Sequence, residues 1–444
     1  NWFFWSLWLA IALIAAAFYY GKAADNRSAF VRWQPQVLEF WSGVNIYDKM
    51  IFPNPPIVPI LMTPLMLLPT VPAAMCWFAL KVAMTSATMT MLFNIVRPRS
   101  KPLPTFFRSA VLVLSLRPIL GDLHHANNNL VILFLVVSML QAWRKGHDIL
   151  SGLLLALATS FKVTPALFFI YFAYKRSWRM FGAGLLGMFL FLIVVPSIII
   201  GPRFNAECLK TWCGRMVSPY VVRNEMSGTE INQSMPGVMV RLLTDVKTGS
   251  NRYDVHHDLN VASLSSPLVR RLLKVAAIGL VLVLAAFCTT KFHGRTDPRL
   301  LGEVALVVLT MLFVSERSWK HHYVTLIIPY TYLMAEFYSP RLRPGGKWFI
   351  ASILVASFVL MATASTEVGG LFADGEGHEI AQYYGVFLWA GVLLYLATAW
   401  RVLARRHEQP EQTPEGPGSP IPDAHFGTLG AGRESRLEYG SGTS

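Results

Sequence analysis

Apolar runs long enough to approach a membrane crossing recur along almost the whole of this 444-residue chain. In hydrocarbon every backbone polar group must be satisfied internally, so such a chain folds as a helix bundle or a closed barrel. The runs are continuous rather than alternating, and many approach the roughly 20 residues that span a core of about 30 Å. They fall at 2–20, 55–69, 73–96, 105–120, 129–143, 150–161, 163–174, 180–200, 272–290, 299–314, 322–338, 347–366 and 382–403. This predicts an all-α, polytopic transmembrane helix bundle of about 11–13 membrane segments. The segment 2–20 lacks a charged leader and a small-residue cleavage site, so it reads as a retained helix rather than a signal peptide.

Charge supports the same class. Only 14% of residues are charged, where a soluble chain carries about 25%. The net charge of +14 sits in short breaks between the runs, the positive-inside pattern, and not in the separate basic domain that nucleic acid would need. Arg97, Arg99, Lys101 and Arg108 mark one cytoplasmic turn. Arg144 and Lys145, then Lys175, Arg176 and Arg179, then Lys291 and Arg295 mark others, followed by Arg341, Arg343 and Lys347, and by Arg401, Arg405 and Arg406. The opposite face then receives 21–54, 121–128, 201–271, 315–321 and 367–381, the last carrying Glu367, Asp374, Glu376 and Glu379.

Parity under this assignment requires one early segment not to cross fully, and 55–69, which opens on Pro55-Pro56, is short. Segments 150–161 and 163–174 are basic at both outer ends with Lys162 between them, so they read as two half-helices meeting inside the membrane. The chain therefore divides into a transmembrane domain over 1–403, with a first external loop 21–54 and a long external loop 201–271, and a tail. Residues 404–444 are rich in Pro, Gly, Glu and Ser and read as a disordered cytoplasmic segment.

Chemistry belongs in the polar breaks. Asp25 lies just past the first run, where a carboxylate near the interface can act as general base toward a hydroxyl; the plain reading is a solvated loop residue. Segment 30–42 interleaves apolar residues with Arg32, Gln34 and Glu39 and suits an interfacial position. Lys162 is costly to bury, and ionisable residues inside apolar runs are functional candidates by default; a snorkelling lysine is the bland alternative. Asn232 and Gln233, in Asn232-Gln233-Ser234, can hydrogen-bond sugar hydroxyls, and the tripeptide also has the N-glycosylation pattern. Arg317, Trp319, Lys320, His321 and His322 crowd the mouth of a helix. That set suits a lipid phosphate and a sugar stacked on an aromatic, or else an interfacial anchor.

Cys76 and Cys288 lie in apolar runs, whereas Cys208 and Cys213 share a loop and either pair or stay as thiols. His124-His125, His256-His257 and His321-His322 fall on one face, but their spacing matches no zinc motif, so no metal is expected. No P-loop, GxSxG or HExxH is present, which disfavours an ATPase or a membrane protease.

Taken in order, several stretches resemble glycosyltransferase family 87: Pro55-Pro56 leading to PLMLLP (64–69), ANNNLVILFL (126–135), SGLLLALATSFKVTPALFFIYF (151–172), NQSMPGVMVRLL (232–243) and SWKHHYVTLIIP (318–329). The resemblance covers about residues 1–400. It implies a GT-C-type bundle with extracytoplasmic loops forming the active site, in a bacterial cell membrane. It also implies a transferase that moves a hexose, typically mannose, from a polyprenyl-phosphate sugar donor to a lipid or glycan acceptor hydroxyl with inversion, without cofactor or metal. Lys162 then matches the family's KxTP lysine, Asn232, Gln233 and Ser234 its NQS, and Trp319, His321 and His322 its SWxHH. The family's first-loop acid, aligned from Tyr47, falls on Ala29; the nearest carboxylate is Asp25, with Glu39 as second candidate. The family's Gly-Gln turn stands here as Ala126-Asn127. A transporter or flippase using Lys162 and the half-helices as a midplane site is the alternative from another class, although no internal repeat is seen. A non-catalytic family member is the third reading.

Overall fold

A computed structural model describes residues 2–49, 52–97, 102–221, 225, 227–245, 260–289, 294–297 and 299–405. Among them all regular structure is helical. Most of the expected tail, together with His256, His257, Lys291, Arg99 and Lys101, lies outside the described residues.

Helix α1 (Trp2–Ala24) runs the length of the bundle and is followed by α2 (Ala29–Trp41), α3 (Ile46–Lys49) and α4 (Ile57–Met66). Then come α5 (Thr70–Val96), α6 (Thr105–His125), α7 (Asn129–Arg144), α8 (Asp148–Phe161) and α9 (Leu167–Tyr174). Next, α10 (Trp178–Phe189) continues through a π-turn into α11 (Val195–Ile200). The long loop holds α12 (Pro202–Trp212), α13 (Ser218–Val221) and α14 (Met235–Leu243). The last third comprises α15 (Ser266–Phe287), α16 (Arg299–Val314), α17 (Ile327–Tyr338), α18 (Pro344–Thr363), α19 (Thr366–Gly369), α20 (Gly377–Tyr383) and α21 (Val386–Ala404). By length and apolarity, α1, α5, the continuous stretch Trp178–Ile200, α18 and α21 can each cross a membrane alone. The shorter apolar helices complete an all-α polytopic membrane bundle.

Two ends can be told apart by their contacts. At one end Phe107 packs on Tyr338, Arg401 and Arg405 bind Glu336, Arg295 pairs with Asp148, and Lys175 binds Glu303 at 2.8 Å. Lys175, Arg295, Arg401 and Arg405, from basic turns expected to be cytoplasmic, lie there. The other end gathers the C-terminus of α1, the α6–α7 corner, the end of α8, the segment 315–320, α19, α20 and the loop helices.

The parity problem finds its answer in α4. Asn54, just before it, donates to Phe161 O at 2.6 Å, and Met66 O at its far end accepts from Gln34 Nε2 at 2.9 Å. Both ends of this ten-residue helix therefore stay at the second end, so it does not cross. Pro64 contributes to its shortness by removing a backbone donor from the helix interior.

Helices α8 and α9 form the expected hairpin. The chain climbs from Asp148 to Phe161, turns through Lys162 and the 3₁₀ turn Thr164–Ala166, and returns to Lys175 at the end it left. Pro165 helps to force the break. A glycine seam holds α8 on α10: a Cβ on Gly152 would lie 2.6 Å from Gly184 N, and one on Gly187 would lie 2.7 Å from the Ala156 Cβ. No other side chain fits that approach. All four cysteines are free thiols, Cys208 buried and Cys213 exposed.

Candidate active site

The α6–α7 corner is the floor of the site. Helix α6 ends at Ala126, which adopts the left-handed conformation (φ +57°) and donates its N–H to Asp122 O at 2.9 Å. This sharp turn places Asn127, Asn128 and Asn129 at the head of α7. Asp122 is fully buried and paired with the equally buried Lys81 of α5 at 2.7 Å. Its other oxygen accepts from Asn129 Nδ2 at 2.9 Å, and Asn129 Oδ1 accepts from Lys162 Nζ at 3.3 Å. Lys162 is partly buried at the tip of the α8–α9 hairpin. Asn128 donates to Asn54 Oδ1 at 3.1 Å, and Tyr47 OH donates to Asn54 O at 2.9 Å. Those bonds tie the first loop to the same corner.

One wall is the segment 315–326. Trp319 N donates to His322 Nδ1 at 3.1 Å, and the two rings stack at 6.0 Å. His321 is 3% exposed and lies 4.9 Å from the His322 ring and 5.0 Å from that of His125. Asn127 Nδ2 approaches His321 Nε2 at 3.1 Å. With the amide donating, the ring proton sits on Nδ1, a buried atom with no hydrogen-bond partner among the described residues. Burial, then His125 and the neighbouring Lys162, Lys81 and Lys320 charges, hold the pKa of this imidazole well below the usual value. Burial also lowers the Lys320 pKa, with Arg117 adding repulsion and Glu367 opposing it. Arg317 is exposed beside this wall. Lys162, Trp319, Lys320, His321 and His322 are thus brought together.

Asn232 and Gln233 lie behind the wall rather than on it. Both are fully buried. Asn232 Nδ2 donates to Ser227 O (2.8 Å) and Glu316 O (2.9 Å), while its Oδ1 accepts from Ser318 N (3.0 Å) and Ser234 N (3.2 Å). Gln233 Nε2 donates to Glu230 O (2.8 Å) and Gln382 O (2.7 Å). Gln233 N donates to Ser318 O at 2.6 Å, and Gln233 O accepts from Tyr323 OH at 2.7 Å. Arg241 completes the clamp, donating to Asn232 O at 2.8 Å and Tyr383 O at 2.9 Å. In this geometry both amides hold the 315–323 segment in place, and Asn232 is not accessible for glycosylation.

Asp25 sits at the rim. It is 59% exposed and paired with Arg27 at 2.6 Å. Lys22, Arg27, Arg32 and Lys320 are close enough to repel one another, and His124 senses Lys22, Arg27, Lys320 and Arg117. The mouth is therefore strongly electropositive, as an anionic phosphate requires. Glu39 is exposed on α2. Among the described residues no group of His, Cys, Asp and Glu could hold a metal ion.

Sequence reading missed Lys81, Asp122, Asn54, Asn129, Arg241 and Glu316. Glu316 has a buried Oε2 with no hydrogen-bond partner among the described residues, and burial raises its pKa to about 7. The available signal was an ionisable residue inside an apolar run, as with Lys81, or an acid beside a motif already singled out, as with Glu316.

Comparison with known proteins now decides the class. The model of glycosyltransferase family 87 matches residues 52–315, more than half of the chain. The chain belongs to glycosyltransferase family 87. As a family 87 protein it is a membrane glycosyltransferase. It is similar to the polyprenol-phosphate-mannose-dependent alpha-(1-2)-phosphatidylinositol pentamannoside mannosyltransferase of Mycolicibacterium smegmatis (strain ATCC 700084 / mc(2)155), at 26% identity over 372 residues, covering 80% of this chain and 77% of the relative. The protein of the same description from Mycobacterium tuberculosis (strain CDC 1551 / Oshkosh) is 28% identical over 257 residues, 56% of this chain and 49% of the relative. No solved structure matches this family 87 chain.

Proposed function

We propose that this family 87 chain moves a mannosyl unit from a polyprenyl-phosphate donor to a hydroxyl of a lipid or glycan acceptor, with inversion, at the extracytoplasmic face of a bacterial membrane. The observation that carries this reading is the clustering of Lys162, Lys320, His321, His322 and Trp319 at the end of the bundle opposite the basic turns. The acceptor oxygen attacks the anomeric carbon, the bond to the phosphate oxygen breaks, and the electron pair leaves with the prenyl phosphate. Lys162 and Lys320 stabilise the charge growing on that phosphate. The His321 Nδ1–H supplies a neutral donor and Trp319 a face for the sugar. The span 1–403 carries the transfer, and 404–444 carries no chemistry.

The base is assigned to Asp25, which must release Arg27 to reach an acceptor. One specific observation favours a second candidate: Glu316 has a buried oxygen without a hydrogen-bond partner among the described residues and a pKa raised to about 7, which is where a general base works best. The test is mannosyl transfer by purified protein in lipid, from radiolabelled polyprenyl-phosphate mannose to a crude lipid acceptor mixture. Asp25→Asn, Glu316→Gln and Glu39→Gln are run beside wild type. Loss of transfer in Asp25→Asn alone supports the assignment, while survival there with loss in Glu316→Gln moves the base. No transfer by wild type with any polyprenyl-phosphate sugar would sink the donor reading.

A further inference from the structure

Lys81 and Asp122 have no place in the transfer step, yet they are a fully buried ion pair joined by hydrogen bonds to a residue that does. A buried pair holding α5 to α6 would need no outlet, and pairs of this kind add little net stability. Here there is an outlet. Asp122 Oδ2 accepts from Asn129 Nδ2 at 2.9 Å, which fixes the amide with its Oδ1 toward Lys162 Nζ at 3.3 Å. Without an acceptor oxygen at position 122, which an asparagine there would still supply, the amide could turn its NH₂ toward the ammonium, and the contact would be lost.

The charge count gives the second half of the argument. The connected groups are two ammonium ions and one carboxylate. Lys81 touches Asp122 directly and also donates to Asp122 O at 2.6 Å, so these two cancel. Among the described residues Lys162 hydrogen-bonds only to a neutral amide, with Asp122 one residue further off, so its positive charge has no direct counter-ion at the partly exposed hairpin tip. A network with one uncompensated cation facing an electropositive mouth is matched to an anion.

We propose that the buried Lys81–Asp122 pair sets the charge of the anion site: Asp122 orients Lys162 through Asn129, and Lys81 neutralises Asp122 so that the Lys162 charge stays available to a prenyl phosphate. Lys81, Asp122 and Asn129 are then positioning residues that touch no substrate. The inference rests on the donor reading proposed above.

The experiment measures binding of farnesyl phosphate and of farnesol to the purified full-length chain in lipid nanodiscs. Structural damage weakens both ligands, whereas a change in site charge weakens only the phosphate. In Lys81→Met the unpaired Asp122 turns its charge on Lys162, and farnesyl phosphate affinity falls by about tenfold or more with farnesol unchanged. The double variant Lys81→Met/Asp122→Asn removes both charges and recovers most of the lost affinity. Asn129→Leu, which breaks the link alone, weakens the phosphate selectively. Wild-type affinity in Lys81→Met, an equal loss of farnesol, or a double variant no better than the single would overturn the inference and leave the donor reading standing. A wild type that binds farnesyl phosphate no better than farnesol would overturn both.

Discussion

Replacing Asn232 by alanine separates two roles that the sequence leaves open. The buried amide makes two donor bonds, to Ser227 O and Glu316 O, and accepts from Ser318 N and Ser234 N. Glu316 O keeps a partner in Ser234 Oγ at 3.2 Å, whereas the Ser318 N–H is left buried and unpaired. An orphaned buried donor costs about 1–3 kcal/mol, and each of the other bonds contributes about 0.5–1.5 kcal/mol net. With one orphaned donor and three other bonds the sum is about 2.5–7.5 kcal/mol of destabilisation. Aspartate in its place does no better, because it sets a carboxylate oxygen against the Ser227 and Glu316 carbonyls. The assay is the melting temperature of the purified protein in lipid, followed by donor KM and kcat on what remains folded. Both variants should melt several degrees below wild type, with transfer falling as Trp319 and His321 lose their support. If Asn232→Ala melts like wild type and only donor KM rises, the residue contacts the sugar and the anchoring argument is wrong.

Lys162→Ala should weaken the prenyl-phosphate donor by about 10–100-fold, the range of one charge-assisted hydrogen bond, while the protein still inserts and purifies normally; titration with farnesyl phosphate measures it. Glu316 has its carboxyl pKa raised from 4.5 to about 7 by burial, so the folded state holds the proton more tightly than the unfolded one. Stability therefore declines as pH rises from about 4.5 to 7 and is level above that. Glu316→Gln should be the more stable protein above pH 7, by about 1–2 kcal/mol after allowance for partial exposure; melting curves from pH 5 to 8 that run parallel for the two proteins would refute this. Ala126→Gly should stabilise by up to about 1 kcal/mol, since only the alanine pays for a left-handed φ of +57°, and an unchanged or lower melting temperature would show that the corner relaxes in other ways.

Helix existence was legible because a long apolar run has few other solutions. The segments 150–161 and 163–174 lie within a few residues of α8 and of the 3₁₀ turn and α9. The hairpin break was legible because Lys162 and Pro165 stand together. The short crossing-incompetent segment was expected from parity alone. The site was legible where it is local in sequence, as with Trp319, Lys320, His321 and His322 on one turn, and where one charge interrupts two apolar runs, as with Lys162. Lys81 was hidden because a single charge is averaged away inside the run 73–96, and its partner lies 41 residues on. Asn232 and Gln233 were picked out by type, but their partners near 316, 318 and 382 are far away in the chain. Pattern can mark such a residue, and only the fold says which carbonyls it meets.

The glycine seam between α8 and α10 has a mechanical consequence. Lys162 stands at the free tip of a cantilever rooted at Gly152, about 15 Å away along the helix. A methyl group wedged into the root tilts the whole arm, and the displacement grows toward the tip. Drift in this protein is therefore as tightly limited at Gly152, Gly184 and Gly187, far from any reacting atom, as beside the ammonium itself. A screen for lost transfer that looked only near the cleft would overlook the hinge on which the cleft depends.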